Sequence, residues 1–183
     1  IIEAMDSVLP IFDKELRRPL EIAIKKQKIK VHTKVFAKGI DAKDDGSVDL
    51  LYTPKDAEEG AEFEKLNVDK VLVTVGRRPM SAALSPTGVA LDERGFVKVN
   101  NKCETNMKGV YAIGDVCDLG EMLAHVASFQ GEMVSEIIAG QPRVYEPAAV
   151  PAIVFTEPEV VSVGLSPSEA KEAGHPVITG KFP

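Results

Sequence analysis

Val110-Tyr111-Ala112-Ile113-Gly114-Asp115 is the stretch that decides the fold. Four apolar residues in a row, two of them β-branched, predict a strand buried on both faces, the mark of a sheet covered by helices. Gly114 ends the run and Asp115 follows, which puts a carboxylate at the carboxyl edge of the sheet, where open α/β folds bind ligands. Downstream, Leu123, Val126, Ala127, Gln130, Val134, Ile137 and Ile138 recur at helical spacing, which predicts a helix beginning near Met122 and closed by a left-handed Gly140. The positive end of that helix points back at Asp115 and favours negative charge there. Asp115 is suited to accept hydrogen bonds from a sugar or ribitol hydroxyl. The plainer alternative is an acidic cap on the adjacent turn.

Working toward the amino terminus, Val71-Leu72-Val73-Thr74-Val75 has the same character and predicts a second strand buried on both faces. It runs into Gly76-Arg77-Arg78-Pro79. Gly76 there is either a plain strand exit or a point where a dinucleotide approaches the backbone closely. Upstream lies a meander: Val31, Thr33 and Val35 alternate with polar residues, Asp44-Asp45-Gly46 is a turn signal, and Val48, Leu50 and Tyr52 form the return. The charged stretch from Lys55 to Lys65 is expected as an exposed loop. A helix is predicted from Asp13 to Lys28, with Leu16, Leu20, Ala23 and Ile24 on one face; Pro19 falls beyond its first turn, where a proline costs about 3 kcal/mol, so a kink or late start is expected. Glu3 ends the apolar Ile1-Ile2. A Rossmann unit uses such a residue to hold an adenosine ribose, and no Arg or Lys lies between Glu3 and Lys14 to accept a 2′-phosphate. A solvated strand end fits Glu3 as well.

Toward the carboxyl terminus, Phe96 to Val99 predicts a short strand. Ala152 to Phe155 and Val160 to Val163 predict two more, bracketing Thr156-Glu157-Pro158-Glu159. Ser166-Pro167-Ser168-Glu169 opens a last helix as a capping box with proline at its first position, and Gly174 ends it. The chain's ends fall within strand-like runs, Ile1-Ile2 and Pro176 to Pro183, which predicts a segment of a longer protein.

Composition narrows the function classes. The 183 residues are 44% hydrophobic and 27% charged, as in ordinary globular chains. A net charge of −6 speaks against nonspecific nucleic-acid binding. There is no apolar run of bilayer-spanning length and no basic-then-apolar leader, so no membrane partner is expected. Cys103 and Cys117 make no disulfide framework; they lie on either side of the strand at Val110 and are expected to remain unbonded in a reducing compartment. His32, His125 and His175 show no metal-ligand spacing, and no metal is expected. No two glycines are separated by a single residue, so the chain contains no G-x-G-x-x-G phosphate loop.

Several of these motifs carry a family resemblance. Val110 to Asp115, followed by Met122-Leu123-Ala124-His125 and a helix ending Ile137-Ile138-Ala139-Gly140, resembles the second FAD-binding motif of flavoprotein disulfide reductases with two dinucleotide-binding domains. Val75-Gly76-Arg77-Arg78-Pro79 is similar to that family's strand between its NAD and FAD domains. Val150 to Val160 resembles the opening of its interface domain, and Thr156-Glu157-Pro158-Glu159 is most similar to the dihydrolipoamide dehydrogenase branch. The polar insertion Cys117 to Glu121 and Pro19 depart from the pattern.

The resemblance implies an α/β chain. Residues 1–78 would be the back portion of an NAD-binding domain and 79–147 the closing portion of an FAD-binding domain, both Rossmann-like. Residues 148–183 would start an α+β dimerisation domain. It implies FAD on Asp115, Met122, Leu123, Ala124 and His125, and NAD on Glu3, Val35 and Gly76. The redox Cys-x4-Cys pair and the acid–base His-Glu pair would lie outside this chain, leaving it no catalytic residue and no activity by itself. The implied reaction is oxidation of dihydrolipoamide with NAD as acceptor. The implied partners are a second copy and the lipoyl-bearing subunit of a 2-oxoacid dehydrogenase complex, in the bacterial cytoplasm or mitochondrial matrix. A mercuric or glutathione reductase type of enzyme and a non-catalytic nucleotide-binding fragment stay open as alternatives.

Overall fold

In the computed structural model, which describes residues 1–58 and 60–182, the chain divides by its contacts into Ile1–Thr74 with Pro151–Pro183 and Val75–Val150. The first unit opens on a parallel bridge between Ile2 and His32. Helix α1, Lys14–Lys26, follows, with Asp13 at its N-cap position and Pro19 inside it. The helix neither starts late nor breaks at Pro19. Its inward residue Leu20 is buried, with Ile24 a turn later, and both pack with Phe12 and with Val160. The apolar stripe thus secures what the proline opposes. Leu16, expected on that face, is exposed.

Strands β1 (Val35–Ala42), β2 (Val48–Pro54) and β3 (Glu64–Val68) form an antiparallel sheet in that order. The turn falls where Asp44-Asp45-Gly46 predicts it, with Gly46 N–H donating to Lys43 O at 3.0 Å. Strand β3 corrects the expectation of a loop as far as Lys65. Only Leu66 and Val68 alternate in it as apolar residues, but Tyr52 Oη donates to Glu64 Oε2 at 2.7 Å and Asn67 Nδ2 to Asp49 Oδ1 at 2.7 Å. Cross-strand polar pairs make this strand where hydrophobic alternation alone is weak. His32, expected solvated, is half-buried with its ring 5.5 Å from that of Tyr52.

β4 (Pro151–Val154) and β5 (Val160–Val163) form the expected hairpin. Helix α3, Pro167–Glu172, begins on the complete capping box: Glu169 N–H donates to Ser166 Oγ at 3.2 Å, and Ser166 N–H donates to Glu169 Oε2 at 2.8 Å.

The second unit is built around helix α2, Ala124–Ile138. Val126, Met133 and Val134 join Cys103 and Tyr145 in its core. Two expected strands are absent as such. Val71 to Val75 is unpaired among the described residues, with Leu72 88% and Val75 89% exposed. Val110 to Ile113 makes only a bridge, Glu104 to Tyr111, and Ile113 is 38% exposed. Both runs have strand composition, but a strand buried on two faces needs a neighbour on each edge and a layer above and below. Phe96 to Val99 likewise is held by single bridges from Val97 to Leu91 and to Cys117.

Both thiols are free, as expected, and both are buried. The chain reverses at Met107 to Gly109, however, with Val110 N–H donating to Met107 O at 3.0 Å and Ala112 N–H to Cys103 O at 3.0 Å. Cys103 therefore lies beside the Val110 run instead of a strand's length away.

Candidate cofactor-binding site

Gly114, Asp115 and Val116 form a single 3-10 turn leading out of the Val110 run. Gly114 is required there twice over. Its φ is +67°, and a Cβ would stand 2.9 Å from that of Ala127 on α2. Its N–H donates to Gln130 Oε1 at 2.7 Å, and Gln130 Nε2 donates to Leu119 O at 2.7 Å. One fully buried glutamine of α2 thereby fixes both ends of the Gly114 to Leu119 loop. Asp118 secures its flank: its N–H donates to Val97 O at 3.1 Å, and its Oδ1 accepts from Val99 N–H at 3.0 Å. Inside the loop, Cys117 Sγ donates to Gly114 O at 3.3 Å, and burial pushes this thiol up. A protonated, buried sulfur of this kind is structural and not a nucleophile.

On the outside stand the polar groups that can meet a ligand. Asp115 is exposed, and its Oδ2 accepts from Arg77 Nη1 at 3.0 Å. Arg77 Nη2 donates to the Met122 carbonyl. One guanidinium thus brings Asp115 to the start of α2. No side chain caps α2, and among the described residues the N–H groups of Ala124, His125 and Val126 have no partner. The site couples a carboxylate acceptor to a row of backbone donors at a helix N-terminus, which suits a ligand with a hydroxyl at one end and a carbonyl or anionic edge at the other. Asp115, Met122, Leu123, Ala124 and His125 are thus brought together.

The other expected residues fall in two places. Glu3 and Val35 meet in the first unit, where Val35 N–H donates to Glu3 O at 3.2 Å, and Glu3 Oε1 accepts from Met5 N–H at 2.8 Å. Gly76, at φ +127° and with open space where a Cβ would stand, precedes Arg77 in the second unit. Two contributors were not singled out from the sequence. Gln130 carried a signal, as a polar residue on an otherwise apolar helical face. Arg77 carried none beyond its place after Gly76. Among the described residues no cluster of three or more metal-ligating side chains occurs, and no helix is long and apolar enough to cross a membrane.

Residues 1–131 match the sequence profile of the pyridine nucleotide-disulphide oxidoreductases, and residues 150–183 match the profile of their dimerisation domain. The chain belongs to the pyridine nucleotide-disulphide oxidoreductase family. Among curated members it is 38% identical to a dihydrolipoyl dehydrogenase of Bacillus subtilis over all of this chain and 38% of that one. It is 42% identical to a dihydrolipoyl dehydrogenase of Thermus scotoductus, over all of this chain and 39% of that one. Against dihydrolipoyl dehydrogenase 2, mitochondrial, of Arabidopsis thaliana the identity is 39%, over all of this chain and 36% of that one. The chain therefore spans between 36% and 39% of the length of these relatives. Among solved structures, the HOCl-induced flavoprotein disulfide reductase RclA from Escherichia coli superposes with a TM-score of 0.80 at 26% identity, over 95% of this chain and 38% of that one. LpdA from Mycobacterium tuberculosis superposes at 0.81 with 24% identity, over 94% of this chain and 36% of that one, and shares the fold. The mixed helices and strands and the two profile matches bear out the α/β class and the start of a dimerisation domain.

Proposed function

We propose that this chain is part of a dihydrolipoamide dehydrogenase that oxidises dihydrolipoamide to lipoamide with NAD as acceptor, the shared component of 2-oxoacid dehydrogenase complexes. The observation that carries this reading is end-to-end similarity, in one order, to dihydrolipoyl dehydrogenases at 38%, 42% and 39% identity. In this reading residues 1–78 belong to an NAD domain, 79–147 to an FAD domain and 148–183 to an interface domain that pairs two copies. The further partner is a lipoyl-bearing subunit, and the setting is the bacterial cytoplasm or the mitochondrial matrix.

The residues present fit FAD. Asp115 is exposed, and among the described residues its Oδ1 accepts no hydrogen bond. It would receive a ribitol hydroxyl, while the free N–H groups at the start of α2, in the stretch Met122 to His125, would face the flavin. Glu3, Val35 and Gly76 would contact NAD, with the Glu3 carboxylate on the ribose hydroxyls and repelling a 2′-phosphate. Bound FAD supplies the electron relay between a dithiol and NAD⁺. The task of these residues is to hold and orient it. The test uses the full-length protein. Purified, it should be yellow with bound flavin and should reduce NAD⁺ with dihydrolipoamide, at a kcat/KM well above that for NADP⁺. A colourless protein, or a preference for NADP⁺, would sink the reading.

A further inference from the structure

Arg77 stands 38 residues before Asp115 and 45 before Met122, yet it joins them. Nη1 donates to Asp115 Oδ2 at 3.0 Å, and Nη2 donates to the Met122 carbonyl. That carbonyl lies two residues ahead of the first residue of α2, Ala124. The Gly114 to Leu119 loop is anchored on its inner side by Gln130. Val116 and Asp118 fasten its flank to Val97 and Val99, but at Asp115 itself Arg77 is the one side chain hydrogen-bonded among the described residues, and α2 has no side-chain cap.

A guanidinium is planar, and its two terminal nitrogens form a rigid fork. Bonding one to a carboxylate and the other to a carbonyl fixes the distance and angle between the two groups. We propose that Arg77 is a positioning residue for the flavin: it sets the Asp115 carboxylate against the N-terminus of α2 and leaves Oδ1 free for the cofactor. This rests on Asp115 being a flavin ligand. As a contribution to folding the pair counts for little, since its side chains are 61% and 46% exposed and exposed ion pairs are weak. Its effect belongs in cofactor geometry. A lysine keeps the charge but, with one nitrogen on a flexible stem, cannot hold both acceptors in a fixed relation.

The experiment is a double-mutant cycle in the full-length holoenzyme with Arg77→Met, Arg77→Lys, Asp115→Asn and the Met/Asn pair. It reads the FAD dissociation constant of the deflavinated protein by fluorescence, the flavin absorption band, the two-electron midpoint potential and the melting temperature of the deflavinated protein. The expected result is about tenfold weaker FAD binding in Arg77→Met, the scale of one charged hydrogen bond. Its flavin band and potential should shift while the melting temperature hardly moves. Arg77→Lys should recover less than half of the loss, and the double variant should bind no worse than Asp115→Asn alone. If Asp115→Asn weakens FAD while Arg77→Met leaves it unchanged or tighter, or if the two losses simply add, the inference is overturned and the proposed function stands. A wild-type protein without flavin overturns both, and Asp115→Asn with unchanged FAD binding overturns the inference together with the assignment of Asp115 to the flavin.

Discussion

Gln130 is the residue on which the site's shape most depends. It is fully buried, accepts the Gly114 N–H and donates to the Leu119 carbonyl. Replacing it with Leu keeps the volume roughly constant but strands two buried backbone groups, each of which costs about 1–3 kcal/mol when left unpaired. Gln130→Leu should therefore lower the urea midpoint by several tenths molar or more; an unchanged midpoint would show that water satisfies those groups at no cost. Cys103 makes a different prediction. Burial, and secondarily the neighbouring Cys117, pushes its thiol up from 9.0 to about 11. A folded-state value above the unfolded one means stability that is complete below pH ~9 and lost as pH rises from about 9 to about 11. Urea midpoints of wild type and Cys103→Ala should thus fall on curves that converge over that window, because only the wild type must give up a buried proton. Parallel curves would mean the thiol is not held protonated.

At the scale of elements, α3 is the simplest case of sequence dictating structure. Its six residues begin on a reciprocal capping box, and a helix this short has too few internal bonds to form on propensity alone. Ser166→Ala should destabilise it by about 1 kcal/mol and speed hydrogen exchange at Ala170 and Ala173, whose amides close its turns onto Ser166 and Glu169. Unaltered exchange at those two amides would mean that packing, not the cap, holds the helix. The same locality explains what was legible. The helical run of α2, the cap of α3 and the turns at Asp44 and Thr156 are each contained within a few residues, and each forms where the sequence puts it, although in α2 Met133 is buried and Ile138 is exposed. Val71 to Val75 and Val110 to Ile113 have the composition of buried strands, but strand formation is a relation between distant segments. Pro19 shows the converse, with packing of Leu20 and Ile24 overriding a local breaker. At the site, the Gly114-Asp115 pair and the helix start were legible because they are neighbours in sequence. Arg77 was not, because its partners lie 38 and 45 residues away.

For the molecule as a whole, the chain carries the proposed FAD contacts in one unit and Glu3 and Val35, proposed for NAD, in the other. Its only sulfhydryls, Cys103 and Cys117, are buried, free and differently placed from a Cys-x4-Cys pair. The glycine spacing of a pyrophosphate loop, whose helix terminus usually secures the phosphates of a dinucleotide, is absent from the sequence. The proposed flavin contacts at Asp115 and α2 are one acceptor and a few backbone donors. Meanwhile Leu72, Val73 and Val75 lie exposed with backbone unpaired among the described residues, an edge that invites association with other chains. Residues 1–183 expressed alone should therefore bind a hydrophobic dye strongly or self-associate in sedimentation. Mixed with FAD, NAD⁺ and dihydrolipoamide, they should give no rise in NADH absorbance above the protein-free blank. The two readouts separate the causes. Inactivity in a well-folded monomer that binds no dye would place the deficit in chemistry alone, whereas turnover at any rate approaching that of the full-length protein would mean that dithiol oxidation needs neither a redox cysteine pair nor a phosphate loop, and would overturn the assignment of roles made for this chain.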